Sequence, residues 1–129
     1  VSEFAQTWMS NKLIRRVGWR VVPTITHWCP ACKEPHDFAV DQPFNNGAKW
    51  SFDGDVDRPT FSPSMNVRTG PMPDGHLDVC HYFLKEGRIQ FLGDCTHDMK
   101  GQTVDLPDLP FRKDGAYTWL GSTLVDGVK

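Results

Sequence analysis

The chain is predicted to be mainly β: a small single-domain antiparallel fold with a Cys-x-x-Cys zinc knuckle, a central hairpin and little helix. Three observations predict it. Eleven glycines and ten prolines are spread through only 129 residues, which suits short strands and turns over a helical bundle. Several short runs are rich in β-branched and aromatic residues. Four cysteines, two of them as Cys29-Pro30-Ala31-Cys32, offer a metal staple for a small core. At 14.6 kDa one domain is expected, and 39% hydrophobic content with five tryptophans is enough to exclude wholesale disorder.

Residues 1–12 read as an N-terminal arm or a leftover of cloning, and residues 13–129 as the zinc-binding β domain. Within Leu13 to Val22, the run Trp19-Arg20-Val21-Val22-Pro23 reads as a strand, and Thr24 to Trp28 as a strand entering the first cysteine pair. Asp37–Val40 and Ala48–Phe52 follow, separated by turn chemistry in Gln42-Pro43-Phe44-Asn45-Asn46-Gly47. Thr60–Arg68 is extended but carries Pro63, so it reads as an edge or bulged strand. After the Gly70–Gly75 loop, Leu77–Leu84 pairs with Arg88–Leu92 across a turn at Glu86-Gly87. A helical turn is expected within Cys95–Gln102 and a last strand at Ala116–Leu120.

Charge excludes some partners. Fourteen Lys and Arg stand against sixteen Asp and Glu, a net charge of −2 and pI about 6.2. That balance disfavours a broad electrostatic grip on nucleic acid or anionic membrane. No apolar run approaches a membrane span of about 18 residues, and no secretory leader is expected.

The cysteines carry the sharpest signal. Trp28-Cys29-Pro30-Ala31-Cys32-Lys33 resembles a thioredoxin-type redox motif, but Pro35, Pro43 and Gly47 oppose the long helix that such chemistry needs. A zinc knuckle fits better, because two intervening residues let both thiolates reach one tetrahedral ion. His27, His36, Cys80, His81, Cys95 and His97 are candidates for the remaining ligands. A two-residue hairpin loop sets Lys85 opposite Arg88 and Cys95 opposite Asp78. Cys95 then lies one diagonal step from Cys80 on the same face, about 7–8 Å away. This predicts Cys29, Cys32, Cys80 and Cys95 as a closed Zn2+ site. A bulged turn would exchange the faces and bring in His81 or His97 instead. Four buried free thiols are the plain alternative.

Alternation points His81 to the opposite face, where Asp94 is its diagonal neighbour. His36, His81, Asp94 and His97 are therefore the catalytic candidates if the protein is an enzyme, orienting a general base or activating water on a metal. The plainer reading is that such histidines only hydrogen-bond the metal site. Ser62 and Ser64 are two hydroxyls near these histidines, without a Gly-x-Ser-x-Gly elbow around them. Asp53, Asp55 and Asp57 form a solvated turn: Arg58 and Ser64 occupy positions where a calcium loop needs glycine and an acid. Lys12, Arg15, Arg16 and Arg20 read as a solvated basic face, and the tryptophans as core or docking anchors.

Taken together, Trp28-Cys29-Pro30-Ala31-Cys32 with His36, Arg58-Pro59-Thr60-Phe61-Ser62-Pro63-Ser64, Cys80-His81-Tyr82-Phe83, Gly87-Arg88-Ile89 and Asp94-Cys95-Thr96-His97 resemble a small family of phage and bacterial Cys/His zinc-binding proteins. Some of its members bear an ammonia monooxygenase label. Others resemble zinc-dependent peptidases of bacterial ubiquitin-like conjugation. The resemblance spans roughly residues 24–110 and implies His36, His81 and Asp94 or His97 as a reactive set.

The expected function is a zinc-stabilised β domain acting as a protein-interaction module, a phage-encoded accessory or virion component. It would bind a viral or host protein, or a second copy of itself, in the bacterial cytoplasm or on the virion. The alternative is a zinc-dependent, peptidase-like hydrolase using the His/Asp set, and thiol redox chemistry is the most distant option.

Overall fold

The computed structural model describes residues 5–18 and 20–111. Nine strands and no helix form among these residues: β1 (Ala5–Trp8), β2 (Ile14–Val17), β3 (Thr24–Cys29), β4 (Glu34–Phe38), β5 (Ser51–Phe52), β6 (Phe61–Thr69), β7 (Asp78–Lys85), β8 (Arg88–Phe91) and β9 (Thr103–Asp105). They make two antiparallel meanders, β1-β2-β3-β4 and β5-β6-β7-β8-β9. No described helix is present to cross a membrane.

The strands follow the sequence pattern with shifted ends. Ile14 and Arg16 are buried while Val17 is exposed, so β2 buries one face. The expected strand at 19–23 gives way to bends at residues 20–22; Trp19 lies outside the described residues, as does the strand expected at 116–120. Residues 97–101 form turns, not a helix, and β9 follows where no strand was expected. The central hairpin has the register read from its turn, with Lys85 opposite Arg88 and Tyr82 opposite Phe91. Glu86 and Gly87 both take positive φ, 50° and 75°, as a two-residue hairpin turn requires.

The two sheets pack face to face. Phe38 from β4 stacks on Phe61 from β6 at 4.1 Å between ring centroids. Leu13, Ile25, Leu84, Ile89, Phe91 and Leu106 are each no more than 3% exposed and fill the core around that contact. Burial on this scale stabilises by roughly 1.5–3 kcal/mol per large apolar side chain. One buried ion pair fixes the first sheet. Arg16 on β2 meets Asp37 on β4 at 2.7 Å, with both side chains at or below 5% exposure. Thr26 and Arg20 also donate hydrogen bonds to the carboxylate. Burial opposes the charge on Asp37, but these partners outweigh it and hold the carboxyl below its ordinary range.

Strand β6 carries the irregularity that positions the site. Phe61 pairs with Leu84 and Met65 with Tyr82, so Ser62-Pro63-Ser64 face Phe83 alone. Pro63 cannot donate to the ladder, and the extra residues are accommodated as a bulge. Trp50 secures it by donating its indole N–H to the Ser64 carbonyl at 3.2 Å.

Candidate functional site

Strand β7 presents different chemistry on its two faces. Cys80 and Tyr82 point into the core at 3% and 0% exposure, and His81 between them points outward with 23% of its side chain exposed. On the outer face, Ser64 Oγ lies 3.0 Å from His81 Nε2. His81 Nδ1 lies 3.0 Å from Asp94 Oδ2 and 3.2 Å from Oδ1. The hydrogen bond from His81, helped by the more distant Arg68, holds Asp94 below its ordinary pKa. An ionised carboxylate only accepts, so Nδ1 carries the proton and donates to Asp94. That leaves the Nε2 lone pair facing the Ser64 hydroxyl. The three side chains thus have the connectivity of a nucleophile, a general base and its orienting acid.

Each member is placed by a local feature. The β6 bulge sets Ser64 on the same face as His81. Backbone bonds clip His81 on its far side: its N–H donates to Cys95 Sγ at 3.2 Å, and its carbonyl accepts from Cys95 Sγ at 3.1 Å and from Leu92 N at 2.9 Å. A turn closed by Cys95 N to Leu92 O at 3.3 Å carries Asp94 out to the imidazole.

On the inner face, thiols and an imidazole converge. Cys29 Sγ lies 3.8 Å from Cys80 Sγ. The donor atoms of Cys29, His36 and Cys80 fall within 4.8 Å of one another, and Cys32, Glu34 and His36 form a second such group sharing His36. The β3–β4 turn brings Cys32 back, with Lys33 N donating to Cys29 O at 2.8 Å and Lys33 at φ 55°. Hydrogen bonds from Cys32 and Cys80 favour the thiolate at Cys29, while both partners are pushed up in turn. Three crowded thiols beside an imidazole are a donor set suited to a cation, which would let all three ionise.

The buried hydrogen bonds orient the imidazole for the same purpose. Trp28 O can only accept, so His27 Nδ1, 3.1 Å away, donates to it. Burial, with His36 nearby, lowers the pKa of His27 to about 4, so its Nε2 is a lone pair that accepts from the Tyr82 hydroxyl at 2.6 Å. Tyr82 then accepts from His36 Nδ1 at 3.0 Å. His36 Nε2 is buried and makes no hydrogen bond, with Glu34 Oε2 3.5 Å away. A buried ring nitrogen without a hydrogen bond, beside converging thiols, has the setting of a metal ligand. These Cys and His groups could therefore hold a metal ion.

The residues singled out from sequence separate into three places. His81 and Asp94 meet Ser64; Cys29, Cys32, Cys80 and His36 gather at the inner face. Cys95 is in neither donor group, because the turn at residues 92–95 interrupts the ladder and Thr96, not Asp94, bonds to Val79. His97 packs edge-on against Phe91 at 4.7 Å and accepts from Met99 N at 3.2 Å. Asp53 and Asp55 accept backbone N–H groups within their own turn. The residue that sequence reasoning undervalued is Ser64. Its signal was Pro63 breaking the ladder beside a histidine-bearing strand.

Residues 2–92 match the model of a protein family described as bacterial ubiquitination-like system serine protease (BubE). The match covers most of the chain, and the chain belongs to this family. No curated protein and no solved structure gives a significant match.

Proposed function

We propose that this member of the BubE family is a serine protease in which Ser64 is the nucleophile, His81 the general base and Asp94 the residue that orients it. The observation that carries the reading is the continuous Ser64–His81–Asp94 hydrogen-bond relay at 3.0 Å and 3.0 Å. Ser64 Oγ attacks the acyl carbon as its proton passes to His81 Nε2. His81 then gives that proton to the leaving amine, and the acyl group remains on Ser64 as an ester. A water molecule loses its proton to His81, attacks the ester and releases the acid, and the proton returns to Ser64. Asp94 stays ionised throughout and stabilises the transient imidazolium.

The inner-face group supports the site without taking part in a step. Cys29, Cys32, His36 and Cys80 would hold zinc, and the bound ion would cross-link the β3–β4 turn to β7, supplying stability only. His36, a catalytic candidate on sequence grounds, is assigned to the metal, and His97 is given no reactive role. The interaction-module reading is set aside, since a binding surface needs no such relay. The hydrolase alternative is kept, with the nucleophile moved from metal-bound water to Ser64. The partner class suggested by the family is a ubiquitin-like protein or its conjugate.

A fluorophosphonate probe tests this directly. The purified protein is expected to form one covalent adduct, mapped by mass spectrometry to Ser64. An unmodified wild type, or an adduct at another residue, would sink the reading.

A further inference from the structure

Strand β6 pairs with β5 only through Phe61 and Ser62, so from Met65 to Thr69 its outer edge has no strand partner among the described residues. The groups this edge presents can be deduced from β7. His81 directs its N–H to Cys95 and its carbonyl to Leu92. Val79 directs its N–H to Thr96 Oγ1 at 3.0 Å and its carbonyl to Thr96 N at 2.9 Å. Both residues face away from β6, so Asn66 with His81 and Arg68 with Val79 are the non-hydrogen-bonded pairs of the antiparallel ladder. The N–H and C=O of Asn66 and of Arg68 therefore point out of the open edge. Ser64 stands at the end of that same edge.

We infer that the substrate is an extended peptide that adds as a strand to the open edge of β6, bonding the backbone of Asn66 and Arg68 and delivering its scissile carbonyl to Ser64. This rests on the protease reading and specifies how that site holds its substrate. Strand addition satisfies backbone groups whatever the side chains are, and leaves alternate side chains to be read on two faces. Both faces have a receiving surface. A cleft of about 690 Å³ runs along the inner side of the edge, with Met65 and Val67 on one wall and Phe44 and Val21 also lining it. On the outer side, Phe83 is 43% exposed opposite the bulge that bears Ser64.

The test compares a library of fluorogenic tetrapeptide amides with p-nitrophenyl acetate, an ester too short to pair. Arg68→Pro removes the outward N–H at a position where an edge strand tolerates proline, and Arg68→Ala keeps that N–H while removing the same charge. The ratio of peptide to ester kcat/KM is expected to be about tenfold lower in the proline variant than in the alanine variant. With wild-type enzyme, N-methylation of the best peptide is expected to cost about tenfold at alternate amides and little at those between. If proline also abolishes ester turnover, the N-methyl series decides alone. Equal ratios with indifference to N-methylation, or ester turnover with no peptide cleaved, would overturn strand addition while leaving the nucleophile in place. A dimer that Arg68→Pro dissociates, with the same indifference, would assign the edge to a second copy instead. No labelling and no turnover of either substrate would remove the protease reading and this inference together.

Discussion

The two faces of β7 are one residue apart and behave as different materials. Cys80 and Tyr82 enter a buried interior where thiols crowd to 3.8 Å and every imidazole nitrogen but one has a partner in the His27–Tyr82–His36 chain. His81 emerges on a half-exposed surface, beside a serine and an aspartate that water can reach. The same residue types are therefore set to opposite tasks by burial. Inside, low dielectric makes an unpartnered polar group costly, so the cluster is tied to folding. Outside, Ser64, His81 and Asp94 contribute little to stability and can be committed to reactivity.

That contrast can be broken most forcefully from the inside. Cys80→Ser, or exhaustive chelation, is expected to remove the metal and unfold the domain, since structural zinc contributes roughly 10–16 kcal/mol of apparent binding free energy that is also folding free energy. Metal analysis with circular dichroism checks it; a folded, metal-free variant would show that the inner face is not a staple. On the outer face, Ser64→Ala should lower kcat by about 10⁶-fold while leaving the melting temperature within a degree or two. Asp94→Asn should follow at about 10⁴-fold, because the imidazole is then held in the wrong tautomer. A variant with near-normal turnover would detach Asp94 from the relay. Tyr82→Phe sharpens the comparison by removing one inner hydroxyl. It leaves His27 and His36 each short of a partner and should cost about 1–3 kcal/mol in denaturant unfolding, with one metal retained. The smallest effect is expected from Cys95→Ser: unchanged metal stoichiometry and under about 1 kcal/mol of stability. Loss of the metal would return Cys95 to the ligand set.

Much of this arrangement was legible in the residues, and the failures have local causes. Hairpin register followed from Glu86-Gly87, and with it the prediction that His81 and Asp94 share a face. Pro35 argued against a redox helix, and the structure has strand β4 there. The register expected for Cys95 stops at residues 92–95, where a turn takes the chain out of the ladder. Past the last paired residue the strand register no longer applies, and Cys95 Sγ lies against the backbone of His81. Choosing His36 required knowing that Tyr82 reaches it from the other sheet, a contact 46 residues apart in sequence. Ser64 lacked any motif because its placement comes from a bulge, and bulges are written in pairing geometry more than in composition. The short β1 and β9 carry too few residues to show a period.

The adjacency of Cys80 and His81 also determines where this chain can change its length. Inserting or deleting one residue within β7 upstream of Cys80 would turn both side chains over together, sending a thiol to water and an imidazole into the core. Two functions would be lost in one event, with no intermediate that keeps either. The exposed turn at Met72–Gly75, which precedes β7, carries no such constraint, because added residues there leave the pleat in phase. Natural length variation among relatives, and any engineered tag or domain placed within the chain, should therefore accumulate in that turn and spare the strand beside it.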